Sequence, residues 1–245
     1  MTLRKIAALA ADLLLPDTCS ICGRSLSLQR TGDGWNIPLC RECRDKADNS
    51  IFSRAYPAIS RCTNCGFPLS SEESICSRCR EREWSFDSAT SLFLYLDTGK
   101  QLIRAYKFDN RKALSHYFAE KAAELQLYRR QGFTIVPVPF RPSAKRKRGW
   151  DQVEAICRIL NKKYGYKTSY CLKRINGRAQ KTMNYEDRLT NLENGISLRY
   201  GTAVPDKVLL LDDVFTTGAT MNRCSCVLKE AGCSTVVCLA MAIDL

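Results

Sequence analysis

Two hydrophobic rhythms divide this chain. From residue 87 onward, short apolar runs alternate with segments whose apolar residues recur at helical spacing. The runs at 89–96, 133–138, 168–172, 195–199, 208–211 and 235–242 predict strands. Within 208–211 every residue is apolar, the pattern of a strand covered on both faces of a parallel sheet. Helices are predicted at 101–106, 111–128, 150–164, 185–192 and 221–231; in the third, Val153, Ile156, Cys157 and Leu160 share one face. This alternation predicts an α/β domain over 87–245, a mostly parallel sheet with helices on both faces. Residues 1–86 differ. Apart from Ile6, Leu9, Ala10, Leu13 and Leu14, which predict an amphipathic helix, they carry no sustained apolar period. Something other than a hydrophobic core must hold them.

Cysteine spacing supplies it. Eight of the fourteen cysteines form four Cys-x-x-Cys pairs: Cys19/Cys22, Cys40/Cys43, Cys62/Cys65 and Cys76/Cys79. The segments Cys19-Ser-Ile-Cys22-Gly23 and Cys62-Thr-Asn-Cys65-Gly66 repeat one another, as do Cys40-Arg-Glu-Cys43-Arg44 and Cys76-Ser-Arg-Cys79-Arg80. Seventeen residues separate the first two pairs and ten the second two, which suits a small double zinc-ribbon domain over 1–86. Four thiolates per Zn2+ leave no open coordination position, so both sites are expected to be structural. Redox-active dithiols are the competing reading of the same pairs. Cys157, Cys171, Cys224, Cys226, Cys233 and Cys238 lack ligand spacing and are expected to be small core residues. His116, the one histidine, has no partner motif that would make it a catalyst. The cysteine content, the lack of a cleavable leader before Pro16 and the lack of any apolar run near the roughly 20 residues of a membrane span predict a cytoplasmic protein without membrane insertion.

The formal net charge is +13, and its distribution matters more than its size. Residues 141–181 alone carry thirteen Lys and Arg against two Asp and Glu. Lys145, Arg146, Lys147 and Arg148 are the densest part, readable as a solvated loop or as a nucleic-acid contact. A local field of this sign favours a phosphate-bearing partner.

The segment Val208-Leu-Leu-Leu-Asp-Asp-Val-Phe-Thr-Thr-Gly-Ala-Thr220 carries the most chemistry. Asp212 and Asp213 stand at the C-terminal end of a buried strand, where open α/β sheets bind ligands. Thr216, Thr217, Gly218, Ala219 and Thr220 then enter a helix, bringing hydroxyls and backbone N–H groups to a helix N-terminus that favours anions. Carboxylates suit a sugar diol, and the turn suits a phosphate on the same molecule. Asp and Thr also cap helices, but capping accounts for neither the acidic pair nor the Thr-Thr-Gly-Ala-Thr run. The segment resembles the phosphoribosyl pyrophosphate (PRPP) loop of type I phosphoribosyltransferases. That resemblance implies that Asp212 and Asp213 hold the ribose 2′ and 3′ hydroxyls and that residues 216–220 cradle the 5′-phosphate.

A wider resemblance covers nearly the whole chain. The double ribbon, the Pro137-Val138-Pro139 segment, Arg148-Gly149-Trp150-Asp151-Gln152, Arg174, Gln180, Glu186-Asp187-Arg188 and Asn191 occur in an order similar to that of the ComF/GntX family. Trp150 and Asp151 depart from it, standing where the family pattern has Phe and Asn. The resemblance implies a type I phosphoribosyltransferase-like fold behind the ribbons, with PRPP or a related ribose phosphate bound together with Mg2+. It adds Val138, Pro139, Arg141, Lys107 and Arg174 as candidates for the pyrophosphate and the flexible loop, and assigns no general base. It also implies a link to competence, the uptake of single-stranded DNA for transformation, with the DNA-uptake machinery as partner. Two functions stay open: a phosphoribosyltransferase acting on an unspecified acceptor, and a non-catalytic nucleotide- or single-stranded-DNA-binding module that uses residues 145–148. No C-terminal hood for a base and no glutaminase domain are expected.

Overall fold

The computed structural model describes residues 18–26, 37–70, 73–125, 127–140, 149–174 and 195–244. The helices expected at 6–14 and 185–192 lie outside these residues. In chain order the helices are α1 (Arg41–Asn49), α2 (Phe52–Ala55), α3 (Ser77–Arg80), α4 (Asp97–Lys107), α5 (Leu114–Glu124), α6 (Leu127–Arg130), α7 (Gln152–Tyr164) and α8 (Ala219–Glu230). The strands are β1 (Ser88–Leu94), β2 (Thr134–Pro137), β3 (Leu172–Arg174), β4 (Ile196–Leu198), β5 (Lys207–Phe215) and β6 (Thr235–Ile243).

The main sheet has the order β1-β6-β5-β2, and every pairing in it is parallel. Parallel neighbours need long crossovers, which the helices supply. β3 and β4 form a separate antiparallel pair. The unbroken apolar run of β5 follows from its central position. Leu209 and Leu211 join one core with Leu102, Ile103 and Tyr106 of α4, Phe118 of α5, and Val153, Ile156 and Leu160 of α7. Val208 and Leu210 join the other with Met221, Cys224 and Leu228 of α8.

The cysteine-rich segments do not stand apart from these cores. Cys19, Cys40 and Cys43 belong to the first, and Cys62, Cys65, Cys76 and Cys79 to the second. Asp48 of α1 anchors the first unit. Its carboxylate accepts from Tyr117 Oη at 2.9 Å and lies 3.0 Å from the ammonium of Lys121, a side chain only 4% exposed. The second unit sits directly on β1, where the Ala89 N–H donates to the Asn64 carbonyl at 2.7 Å.

Local boundaries differ from the sequence pattern in four places. Thr168 makes a single bridge to Ile135, and the strand expected at 168–172 begins only at Leu172. The helix expected across 111–128 breaks at Leu125, where ψ turns to 51°. Asp97 opens α4 with φ 40°, instead of ending the strand before it. β5 runs four residues beyond Leu211, because Asp212, Val214 and Phe215 pair with Ala240, Ala242 and Ile243 of β6.

Gly99 in the first turn of α4 tests this packing. A Cβ there would overlap the Leu94 carbonyl oxygen and stand 3.0 Å from Phe93 Cβ. Helix propensity alone would make Gly99→Ala stabilising by about 0.5–1 kcal/mol. We expect a loss of about 2 kcal/mol in urea unfolding, the scale of an overpacked core. A stabilised variant would contradict the packing described.

Candidate functional site

Each cysteine cluster is assembled from two knuckles of matching geometry. Cys19 N–H donates to the Arg24 carbonyl and Cys62 N–H to the Phe67 carbonyl, both at 2.8 Å. Gly23 and Gly66 N–H groups return to the Cys19 and Cys62 carbonyls, both at 2.9 Å. Gly23 and Gly66 have φ of 73° and 71°, the left-handed turn that glycine adopts without a Cβ penalty. In the second knuckle of each unit, Cys40 and Cys76 cap the helices that carry Cys43 and Cys79. The internal repeat is thus a repeat of backbone as well as of letters.

The four sulfurs of each cluster lie within 4.8 Å of one another. Cys22 Sγ is 3.7 Å from Cys40 Sγ, and Cys65 Sγ is 3.6 Å from Cys76 Sγ. A tetrahedron with Zn–S bonds of about 2.3 Å has edges of roughly 3.8 Å, so both clusters fit Zn2+. Burial raises the Cys19 thiol, but N–H groups of Cys22, Cys40 and Ile21 outweigh it and hold the thiol at about 7. Burial raises Cys62 too, and it is held at about 7 by the corresponding N–H groups of Cys65, Cys76 and Asn64. Burial pushes Cys43 and Cys65 upward, so a bound cation is what would let these two thiols ionise.

The second feature is built at the C-terminal ends of β2 and β5. Pro137 pairs with Leu211, and Val138 N–H donates to the Leu211 carbonyl at 2.8 Å, so Val138 and Pro139 leave the sheet beside the aspartates. Strand alternation directs Asp212 and Asp213 to opposite sides, and their partners differ accordingly. Lys107, the last residue of α4, places Nζ 2.8 Å from Asp213 Oδ1, with side chains 16% and 14% exposed. Asp212 Oδ1 accepts the N–H of Asp213 at 2.8 Å. Burial and the neighbouring Asp213 charge push Asp212 up to about 8, against the pull of the Asp213 N–H, Lys107 and Arg174. Arg174 at the end of β3 donates Nε to the Pro139 carbonyl at 2.7 Å, tying that strand to the β2 exit.

The turn after β5 is short. Thr216 and Thr217 are exposed, and Gly218 takes φ 76° to redirect the chain into α8. Thr217 Oγ1 accepts the Ala219 N–H at 3.4 Å. A cavity of about 230 Å³ opens at the exit of β2, lined by Pro139, Phe140, Tyr170, Lys173, Arg174 and Arg199 and by the acids Asp151 and Glu154. Its three cations outnumber its two acids, and with the two aromatic rings they suit a phosphate attached to a planar or sugar group.

Asp212, Asp213, residues 216–220, Val138, Pro139, Lys107 and Arg174 thus gather at one edge of the sheet. Arg141 and residues 145–148 lie outside the described residues. Among the described residues, Tyr170, Arg199 and Trp84 were not indicated by any motif. Tyr170 and Arg199 line the cavity at the β2 exit and Trp84 lies against Gly218, each from a segment distant in sequence that no local pattern reports.

No protein-family profile matches the chain. Over 233 residues it is 29% identical to the competence protein ComFC of Streptococcus pneumoniae, covering 89% of this chain and 96% of that protein. It is 28% identical to competence protein F of Haemophilus influenzae, over 79% of this chain and 91% of that one. The DNA utilization protein YhgH of Salmonella typhimurium is 25% identical, with 91% and 96% covered.

The raised carboxyl of Asp212 has a measurable consequence. Its usual value is 3.8 and its folded value about 8, so between these limits the folded chain retains a proton that the unfolded chain releases. Stability contributed by this group is complete below the lower value and is lost as pH rises through the upper one. Asp212→Asn carries no such proton. Its melting temperature is expected to exceed that of the wild type by a margin that widens from pH 5 to pH 8.5, read by calorimetry. A margin that stays constant or narrows would overturn the assignment.

Proposed function

The chain belongs to the ComF family, and from that premise we propose that it serves DNA uptake as a phosphoribosyltransferase-type protein that binds PRPP, or a related ribose phosphate, with Mg2+. One observation supports this most strongly: an acidic pair at a strand end, one member held by Lys107, followed at once by a Thr-rich turn into a helix. The Asp213 carboxylate accepts one O–H of a ribose diol, and Asp212, which keeps its proton up to about pH 8, accepts the other through its carbonyl oxygen. The turn and the N-terminus of the twelve-residue α8 receive the 5′-phosphate, where the helix dipole and hydroxyls favour negative charge. Lys173, Arg174 and Arg199 in the adjoining cavity are the cations that suit a pyrophosphate.

With PRPP bound, transfer breaks the bond from ribose C1 to the pyrophosphate oxygen and forms one from C1 to an acceptor nucleophile. Mg2+ bound with the substrate would supply counter-charge for the departing pyrophosphate. The protein's own part is positioning: the turn fixes the phosphoryl end and the aspartates fix the ring. Both cysteine clusters are read as structural Zn2+ sites, and a reducing cytoplasm suits such thiolate sites. Among the described residues no helix is long and apolar enough to cross a membrane.

A second reading has its own support. The charge surplus on residues 141–181, together with relatives named for competence and DNA utilization, favours direct contact with single-stranded DNA. The two readings can both hold, since the basic run and the acidic pair are different residues.

Calorimetry separates them. PRPP with Mg2+ is expected to bind one site per chain, and Asp213→Asn to weaken it by about tenfold or more, the cost of a charged hydrogen bond. Undiminished binding by the variant would remove Asp213 from the site. For the second reading, replacing Lys145, Arg146, Lys147 and Arg148 by Ala is expected to flatten the salt dependence of single-strand binding. The log–log slope should fall by about 0.7 for each phosphate that the variant no longer neutralises. An unchanged slope would exclude that run as the DNA-binding element.

A further inference from the structure

We propose that Trp84 couples the second cysteine cluster to the turn at 216–220, so that metal held by Cys62, Cys65, Cys76 and Cys79 sets the order of the ligand loop. The indole has two ends with different partners. Its Nε1–H donates to Cys79 Sγ at 3.1 Å. Its six-membered ring lies against Gly218, where an added Cβ would stand 3.0 Å from both Trp84 Cη2 and Cζ3 and 2.7 Å from Phe215 Cζ. One rigid side chain therefore spans from a metal-ligand sulfur to the pivot of the turn.

The surroundings hold that span in place. Trp84 stacks on Phe86 at 5.0 Å, and both rings meet Phe215 edge-on at 6.4 and 6.3 Å. The next residue, Ser85, donates its N–H to Asn222 Oδ1 at 2.7 Å, pinning the segment to the first turn of α8. Gly218 is thereby constrained twice: its φ of 76° needs glycine, and the aromatic wall leaves no volume for a side chain. Hydrogen bonds to a ligating sulfur orient it and tune its hold on the metal. A thiolate gathered on Zn2+ keeps the indole aimed at Cys79. With the cluster open, that acceptor moves and the wall behind Gly218 moves with it. Linkage requires the converse: whatever orders the turn must tighten the cluster's grip on metal. Trp84 is thus a positioning residue, acting on the ligand through the loop.

The coupling itself needs no particular ligand, whereas its effect on ribose phosphate rests on the reading above. The test uses the full chain loaded with zinc. Trp84→Phe keeps an aromatic ring but removes the indole N–H; chelator competition is expected to report about tenfold weaker zinc at the second cluster. In the wild type, hydrogen exchange of amides 216–222 is expected to rise with the fraction of zinc withdrawn from that cluster, while Trp84→Phe uncouples the two readouts. Trp84→Ala, with its zinc retained, is expected to speed exchange at 216–222 outright. Zinc affinity of Trp84→Phe equal to that of the wild type, or wild-type loop exchange indifferent to zinc, would overturn the coupling. A wild type whose loop follows zinc but which takes up no PRPP with Mg2+ would leave the coupling standing and sink the ribose-phosphate reading.

Discussion

Because β5 runs through the middle of the sheet, its backbone must be met by β2 on one side and β6 on the other, and its side chains by a core on each face. That double burial is the constraint on which the rest depends. It fixes the register that places Pro137 beside Leu211, and so delivers the β2 exit to the aspartates. It also forces the chain to turn sharply as soon as β5 leaves β6, which is where Gly218 is required. The polar residues at this end of the sheet are therefore positioned by the apolar residues behind them.

The cysteine clusters extend the same logic. Residues 18–80 include little that could form a core alone, yet the first cluster adds three of its cysteines and the second all four to the two cores flanking the sheet. The first unit is tied to α5 through Asp48, Tyr117 and Lys121; the second meets β1 at Ala89 and the turn at Gly218 through Trp84. Metal sites that close no catalytic position can still govern geometry at a distance, because their ligands share packing with the residues that matter.

Much of this was readable in the residues themselves. The Cys-x-x-Cys-Gly repeats led directly to paired clusters, since thiol spacing is a local property. Helix α7 carries its own punctuation: Asp151 accepts the Glu154 N–H at 3.0 Å, and Gly165 ends the helix at φ 69°. The 208–211 run correctly marked a two-sided strand. What escaped is what a partner decides. β5 continues through both aspartates because β6 stays apolar to Ile243 and offers a ladder, although Asp is a poor strand former. Lys107 is paired with Asp213, from a helix whose sequence says nothing of that strand. Trp84 had no motif at all.

The proposed function requires a sugar phosphate to lie between the acidic pair and the turn. Its most direct test is a titration of ribose 5-phosphate into the isotope-labelled, zinc-loaded chain, followed by amide resonances. Saturable shifts at 212–213 and 216–220 are the expected result. Shifts confined to the basic 141–149 segment, or none at the strand end, would contradict it.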